Sequence, residues 1–216
     1  MRLQSKEYQH FLTAVLFSAV IALCLAVFVA IYGKDQSFLI INGHYSVQAD
    51  YFFNAVTYLG DGLIWVPLFI YTLVYRRDFF VAVLVALLIC TILTHIGKRV
   101  IFVDEPRPLR LLSDVARAVP LLKGHDNYSN SFPSGHTSTA YTFALLLAFL
   151  VRQKFARFLF PLMAFLVGYS RVYLAQHFVT DVLAGCLIGI LSSYVALVIY
   201  DQFLQRKKRK EAEASP

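Results

Sequence analysis

The sequence predicts an all-α fold, a bundle of six transmembrane helices with a long extracytoplasmic loop between the third and fourth. Two observations support this prediction. Of the 216 residues, 58% are hydrophobic and only 15% are charged, which is more apolar surface than a soluble domain of this length hides in one core. The apolar residues also fall into runs close to the roughly 20 residues that a bilayer-spanning helix requires.

Six runs are candidate spans. Three of them are continuous and clearly apolar, namely residues 11–32, 79–96 and 182–200. Two more, residues 135–151 and 158–174, are shorter or more polar at one end. The remaining run is interrupted by Gly60-Asp61-Gly62, so we place a span at about 62–75 and an interfacial turn or short helix ahead of it.

The first run also has a feature of a signal sequence, because Arg2 and Lys6 precede it. Its 22 uncharged residues exceed the usual hydrophobic region of a signal sequence, and no small-x-small cleavage site stands out before Gly33. The sequence therefore favours a retained span.

The distribution of charge predicts the orientation of the bundle. With six spans, twelve basic residues lie at one set of helix ends and eight at the other, six of these eight in the loop 98–132. The positive-inside tendency then places both termini in the cytoplasm and this loop outside, most simply in a bacterial inner membrane. Topology and attraction to anionic lipid account for the net charge of +7, so no nucleic-acid partner is required.

The chain is predicted to be one integral-membrane domain, residues 1–216, with its motifs within about 50–200 and a basic cytoplasmic tail at 201–216. Its cysteines, Cys24, Cys90 and Cys186, fall in predicted spans without metal-ligand spacing, which favours buried apolar thiols over a zinc site or a disulfide. No cluster of acidic residues suits magnesium, so no metal or other cofactor is predicted. The sequence does not define an oligomeric state.

Three groups of polar residues lie at the predicted outer ends of the spans. Each has an ordinary explanation by itself: cations that snorkel at a helix end, an N-cap after a proline, or an interfacial histidine. Their occurrence together on one side of the membrane favours a shared site. The groups are "GKRVIFVDEPRP" with Lys98, Arg99 and Arg107, "PSGH" with Ser134, Gly135 and His136, and "SRVYLAQHFVTD" with Arg171, His177 and Asp181.

Phosphoryl transfer is the chemistry that needs such a set. Arg107 and Arg171 supply directed donors for phosphate oxygens. The helix start at Ser134 offers free N–H groups and the positive end of a helix dipole, and Gly135 permits close approach of the anion.

The two histidines have different predicted roles. His177 and Asp181 are four residues apart, so that on one helix the carboxylate can accept a hydrogen bond from the imidazole and leave the other ring nitrogen free as a nucleophile. His136, at a separate helix start, is placed to protonate the departing oxygen.

These three blocks resemble the phosphatidic acid phosphatase type 2 / vanadium haloperoxidase superfamily, and specifically its six-span bacterial membrane lipid phosphatases. The family pattern is a lysine followed by Arg-Pro, then Pro-Ser-Gly-His, then Ser-Arg with a downstream His and Asp. The resemblance implies a phosphohistidine on His177, orientation of that ring by Asp181, and His136 as acid and then base. It also implies phosphate binding by Lys98, Arg107, Ser134, Gly135 and Arg171.

One spacing departs from the family pattern, which usually has six residues between the lysine and Arg-Pro. Eight residues separate Lys98 from Arg107, and seven separate Arg99 from it. Either the intervening segment bulges, or Arg99 replaces the lysine.

The predicted function is that of a membrane lipid phosphatase or pyrophosphatase. A haloperoxidase would share the oxyanion site, but six spans argue against it; a lipid phosphotransferase or a non-catalytic protein that binds anionic lipid remains an alternative. Phosphatidylglycerol phosphate, undecaprenyl pyrophosphate, phosphatidic acid and lipid A are all candidate substrates. The apolar spacing in residues 109–119 further predicts a short amphipathic helix beside the lipid's entry path.

Overall fold

The computed structural model describes residues 5–119 and 128–213, and within them every regular element is a helix, as predicted. Arg2, residues 120–127 of the predicted loop and residues 214–216 of the predicted tail lie outside the described residues. The helices are α1 (Lys6–Tyr32), α2 (Lys34–Asn42), α3 (Val47–Thr57), α4 (Trp65–Tyr75), α5 (Phe80–Ile96), α6 (Pro108–Leu111), α7 (Gly135–Leu150), α8 (Ala156–Tyr173) and α9 (Val179–Glu213).

Three of the described helices are long and apolar enough to cross a bilayer: Lys6–Tyr32, Phe80–Ile101 and Val179–Glu213. A fourth crossing is formed if Val47–Gly60 and Gly62–Tyr75, which meet at a bend of 58°, count as one broken span. The break falls at the predicted Gly-Asp-Gly interruption. Helices α7 and α8 occupy the positions of the two shorter predicted runs, but neither qualifies by itself, so six spans stay a prediction.

Helix α1 has one packed face and one open face. Its buried residues include Phe11, Ala14 and Ala22. Five large apolar side chains are exposed at spacings of three or four residues along the helix, which places them on the opposite face: Leu16, Val20, Leu23, Val27 and Ile31. So long an apolar face is stable in lipid and costly in water, so the fold is that of an integral membrane protein.

Small residues bring α7 and α9 close together at the centre of the bundle. A Cβ atom on Gly185 would lie 2.8 Å from the carbonyl oxygen of Ser134, and one on Gly189 would lie 2.5 Å from Cβ of Tyr141. The two glycines are four residues apart, the spacing that lets helix backbones approach within a membrane. This contact fixes the start of α7 against the start of α9.

The opposite end of the bundle is closed by aromatic side chains. Phe79 stacks on Phe149 at a centroid distance of 5.2 Å, and Tyr8 and Tyr200 pack edge-on against this pair. Such packing joins α1, the beginning of α5, the end of α7 and α9 into one core.

One expectation from the sequence is corrected. The amphipathic helix predicted at 109–119 is limited to Pro108–Leu111, with turns beyond it. The chain leaves the helix because Arg117 is held elsewhere: its N–H donates to Asn42 Oδ1 at 2.7 Å, and its guanidinium pairs with Asp50. Helix α9 continues past residue 200, the predicted end of the last span, to Glu213, so the described part of the basic tail is helical.

Candidate active site

The predicted site residues come together at one end of the bundle, where α5 ends and α7 and α9 begin. Helix α8 ends in a Schellman motif: the N–H of Gln176 donates to the Arg171 carbonyl at 2.9 Å, and that of Ala175 to Val172 at 3.0 Å. Ala175 adopts the left-handed conformation that this motif requires, with φ of 56°. The turn folds the chain back, so that His177 lies over the end of α8.

His177 and Asp181 are in contact, although not in the way that the sequence predicted. Helix α9 begins at Val179, so the pair does not share a helical face. Instead Asp181 Oδ2 accepts the Phe178 N–H at 3.0 Å, as the acidic residue of a capping box does. The same oxygen lies 3.3 Å from Nδ1 of His177, and both side chains are buried.

Ser131 completes this group. Its hydroxyl donates to Asp181 Oδ2 and lies 3.5 Å from Nδ1 of His177. A carboxylate oxygen that accepts from a hydroxyl, an imidazole and a backbone N–H is held in place and stays ionised. Nδ1 of His177 is therefore the protonated nitrogen, and Nε2 keeps its lone pair.

His177 is uncharged in the resting protein. Burial lowers its pKa to about 3, although the Asp181 carboxylate acts in the opposite direction, and the charges of Arg107 and Arg171 lower the pKa further. The nucleophilic form of the imidazole is thus already present at neutral pH.

Arg107 is fixed on three sides. Its Nε donates to the Ser129 carbonyl at 2.9 Å, and its Nη1 donates to the Gln176 carbonyl at 3.1 Å and to Gln176 Oε1 at 3.0 Å. Burial lowers the pKa of Arg107, an effect that Asp181 partly offsets. Within the described residues Nη2 has no partner, which leaves one edge of the guanidinium for an anion.

Arg171 is as buried as Arg107 and is less completely bonded. Its Nη1 donates to Thr57 Oγ1 at 2.8 Å, whereas its buried Nε has no partner among the described residues. A buried guanidinium with unused donors is costly unless an acceptor such as a phosphate oxygen arrives.

Lys98, not Arg99, faces the site. The end of α5 widens into a π-helical turn, Gly97–Ile101. Lys98 Nζ donates to the carbonyl oxygens of Asn130 and Ser131 at 2.6 and 3.4 Å, while Arg99 is exposed. The π turn and the left-handed Asp104, with φ of 57°, are irregularities of the backbone that accompany the long spacing between Lys98 and Arg107.

The start of α7 supplies backbone donors. Ser134 is the N-cap, with its hydroxyl accepting from Thr137 Oγ1 at 2.8 Å and from the Thr137 N–H at 3.4 Å. The first intrahelical bond runs from Ser138 to the Ser134 carbonyl, so the N–H groups of Gly135 and His136 precede it and stay available to an anion.

His136 lines a cavity of about 190 Å³ between the α3–α4 break and helices α5 and α7. Gly60 packs so closely that an added Cβ would lie 2.9 Å from Cβ of His136. Asp61 and Thr94 line the same cavity, and the Thr94 hydroxyl is buried without a partner among the described residues. The cavity offers polar room beside His136 for the part of a substrate that leaves.

Sequence reasoning missed three residues of this arrangement: Ser131, Gln176 and Thr57. Gln176 lies within the third motif block and Ser131 lies two residues before "PSGH", but hydroxyl and amide side chains are too common for their presence alone to indicate a role. Thr57 ends α3, far from the motifs along the chain, and only the fold brings it to Arg171.

The fold and the site together define a class of protein. It is an all-helical membrane bundle that carries, at one end, a buried histidine, its carboxylate partner and two arginines. The family model described as the PAP2 superfamily matches residues 79–205, more than half of the chain and the part that holds all the predicted site residues. The chain belongs to the PAP2 superfamily.

Curated relatives and solved structures agree with this assignment. A lipid A 4'-phosphatase of Bacteroides thetaiotaomicron is 29% identical over 162 residues, 71% of each chain, and an undecaprenyl-diphosphatase of Sulfolobus acidocaldarius is 25% identical over 203 residues, 90% of this chain and 92% of its own. The crystal structure of Aquifex aeolicus LpxE is similar with a TM-score of 0.67 and 32% identity, over 76% of this chain and 94% of that one.

A second solved structure extends the agreement along the chain. The transmembrane PAP2-type phosphatidylglycerolphosphate phosphatase of Bacillus subtilis has a TM-score of 0.59 and 26% identity, covering 87% of this chain and 96% of its own. The chain is thus a membrane lipid phosphatase of the PAP2 type, and the family and enzyme class predicted from the sequence are confirmed.

Proposed function

We propose that this protein hydrolyses a phosphomonoester or pyrophosphate of a membrane lipid through a phosphohistidine formed on His177. The observation that carries the proposal is the buried, neutral His177, whose Nδ1 is held by Asp181 among the cations Arg107 and Arg171. Such an imidazole presents a lone pair where a phosphate group would be bound.

In the first step, Nε2 of His177 attacks phosphorus and the bond from phosphorus to the leaving oxygen breaks. His136 takes up a proton when the phosphate anion is bound beside it and gives this proton to that oxygen. The ring of the phosphohistidine carries a positive charge, which Asp181 stabilises through the Nδ1–H. Lys98, Arg107, Arg171 and the N–H groups that follow Ser134 hold the phosphate oxygens.

In the second step, His136 takes a proton from a water molecule that attacks phosphorus. The phosphorus–nitrogen bond breaks, inorganic phosphate leaves, and His177 returns to its neutral state. The cations and the helix start neutralise the phosphate in this scheme without a resident metal ion.

The test is a substrate panel on purified protein, with vanadate as an inhibitor that mimics the phosphoryl transition state. The panel contains lipid A, undecaprenyl pyrophosphate, phosphatidylglycerol phosphate and phosphatidic acid, because the relatives' names divide among such substrates. Vanadate-sensitive release of phosphate from at least one of them is expected. Transfer of the phosphate to a second lipid would instead indicate a phosphotransferase, and binding without turnover a non-catalytic protein.

Ser131→Ala is expected to lower kcat by about 10- to 100-fold, the equivalent of one hydrogen bond of about 1.5–3 kcal/mol to a charged group. The physical reason is that Asp181 loses a donor and holds the His177 ring less firmly. Steady-state kinetics with the best lipid of the panel provide the measurement. Ser129→Ala is the matched control, since only the backbone carbonyl of Ser129 contacts Arg107; equal activity of the two variants would remove Ser131 from the mechanism.

Lys98→Ala is expected to impair the enzyme far more than Arg99→Ala does. Both variants lose one positive charge from the same π-helical turn, but only Lys98 reaches the loop at 130–131 beside His177. A loss of about tenfold or more in kcat/KM is expected for Lys98→Ala, as for removal of a hydrogen-bonded charge from the transition state. A larger loss in Arg99→Ala would reassign the phosphate contact.

We further propose six crossings of a bacterial inner membrane, with both termini in the cytoplasm and the histidines outside. The α3–α4 pair would cross once, and α7 and α8 would cross beside α1 and α9, against which they pack. The excess of basic residues at the other end supports this orientation.

The orientation predicts the accessibility of two positions. A membrane-impermeant thiol reagent added to intact cells or spheroplasts is expected to label Ser129→Cys, next to the histidines, and not Gln153→Cys, in the turn between α7 and α8. Permeabilised cells provide the positive control for position 153. The reverse pattern would place the active site in the cytoplasm.

A further inference from the structure

A second polar cavity, of about 650 Å³, lies at the end of the bundle opposite the histidines. Its walls are the first turns of α1 and the turn between α7 and α8. The 16 residues of α7 separate this turn from the phosphate site by about 24 Å, so the two cavities are distinct. The lining residues are Lys6, Glu7, Gln9, His10, Arg152, Lys154 and Arg157.

The cavity has an uncompensated positive charge. Four of its lining side chains are cationic and one, Glu7, is a carboxylate. Glu7 lies 3.8 Å from Arg152, whose side chain is 83% exposed, a geometry that contributes little attraction. Within the described residues the other three cations have no carboxylate partner. The electrostatic potential of such a concave site attracts anions.

Two buried groups of the cavity have unused hydrogen-bonding capacity. Nε of Arg157 is buried and has no partner among the described residues. Nδ1 of His10 lies 3.4 Å from the carbonyl oxygen of Val151, which can only accept, so Nδ1 carries the proton and Nε2 is left over. A buried donor without a partner is rare in proteins, so Nε of Arg157 indicates a missing acceptor. Nε2 of His10, the unprotonated nitrogen, accepts and can pair with the hydroxyl of a protonated phosphate.

The positive-inside tendency accounts for the number of cations at this end, but not for their arrangement around one cavity. A second basic surface at the same end provides the comparison. There Arg77, Lys207 and Lys208 are accompanied by the carboxylates Asp78 and Glu211, and Lys207 lies 4.0 Å from Glu211. Of these two basic surfaces, only the second cavity combines four cations and a single carboxylate with a buried donor that has no partner among the described residues.

We infer that this second cavity binds an anionic phosphate group, either as free phosphate or as the headgroup of an anionic phospholipid. Guanidinium and ammonium groups from α1, from α8 and from the turn between α7 and α8 line the cavity, and guanidinium donors match the oxygens of phosphate. The site is independent of catalysis, so it stands or falls separately from the proposed hydrolysis.

The experiment measures the electrostatic potential inside the cavity and whether a bound ligand blocks access to it. Gln9→Cys in a Cys24→Ser background provides a reporter thiol in the cavity, because Cys90 and Cys186 are buried. Its rates of reaction with a sulfonate-bearing and a trimethylammonium-bearing methanethiosulfonate are compared. We expect the anionic reagent to react about tenfold faster than the cationic one after correction for their rates with a free thiol.

Two arms distinguish the sources of phosphate. Inorganic phosphate is added to the protein in detergent, and phosphatidylglycerol is added to phosphatidylcholine nanodiscs that contain the protein. At about ten times its dissociation constant the correct ligand slows the reaction by about tenfold. Slowing in the first arm alone identifies a site for free phosphate, and slowing in the second alone a site for a lipid headgroup; slowing in both supports the shared chemistry.

Matched variants keep the test decisive. Arg152→Gln, Lys154→Gln and Arg157→Gln together remove three of the four cations of the cavity and leave Lys6 balanced by Glu7, so they are expected to abolish both the rate ratio and the protection. Arg77→Gln, Lys207→Gln and Lys208→Gln remove the same charge from the second basic surface and are expected to leave both the rate ratio and the protection intact.

Arg157→Gln alone is expected to weaken the protection by ligand, and all variants should retain hydrolysis of nitrophenyl phosphate. No protection by either ligand, or equal protection in the cavity triple variant, would overturn the inference.

Discussion

His177→Ala is expected to abolish turnover and, with it, any acid-labile phosphoenzyme. Nε2 of His177 is the proposed nucleophile, and within the described residues no second imidazole has a carboxylate at hydrogen-bond distance. Loss of such a group lowers kcat by at least about 10⁴ in comparable enzymes that use a covalent intermediate. Phosphate release gives the rate, and rapid quenching with a labelled lipid phosphate detects the intermediate.

His44→Ala is the matched control for this variant. His44 follows the end of α2 and is exposed, and among the described residues its ring is hydrogen-bonded only to the Ile40 carbonyl. The His44→Ala protein should keep both its hydrolytic activity and the phosphoenzyme. Phosphoenzyme trapped in the His177→Ala protein would assign the nucleophile elsewhere.

His136→Ala is expected to slow turnover of a lipid substrate by about 10² or more, the usual contribution of a general acid. The loss should be smaller for nitrophenyl phosphate, since its leaving oxygen departs without a proton. His136 is the second residue of α7, where the helix dipole disfavours a lasting positive charge on the ring. This position suits a residue that gives up its proton and does not suit one that stores a phosphoryl group.

The measurement is the ratio of kcat/KM between a poor and a good leaving group, for the wild type and for each variant. His95→Ala is a suitable control, because His95 lines the same cavity as His136 but is exposed, and its one hydrogen bond to a described residue is with the Thr91 carbonyl. Its ratio should match that of the wild type. An equal loss for both leaving groups in His136→Ala would contradict the role of proton donor.

Much of the site could be predicted from sequence because its contacts are local or occur at helix ends. Ser134 was expected to cap a helix, and it caps α7. The spacing of His177 and Asp181 predicted their contact correctly, but the predicted reason was wrong: the carboxylate reaches back to the start of α9 as a capping group. Both geometries bring residues four apart together, so the sequence alone does not distinguish them.

Other features depended on contacts between distant parts of the chain. Residues 109–119 have the apolar spacing of a surface helix, yet the pairing of Arg117 with Asn42 and Asp50 draws the chain into turns. The choice between Lys98 and Arg99 followed from a π-helical turn, which no pattern of residue types indicates. In each case the tertiary interactions outweigh a weak local preference.

The sequence by itself determined the helical class, the apolar runs and the motifs that identify the family, because these follow from composition, periodicity and residue types. Only the tertiary structure decided which groups orient His177 and which cation faces it. Ser131 lies 50 residues from Asp181, Arg107 lies 69 from Gln176, and Thr57 lies 114 from Arg171. Contacts over such separations form because the close packing of α7 on α9, together with the turn that ends α8, brings helix ends to one place. Helix packing depends on the shape of whole faces, and no short stretch of sequence records it.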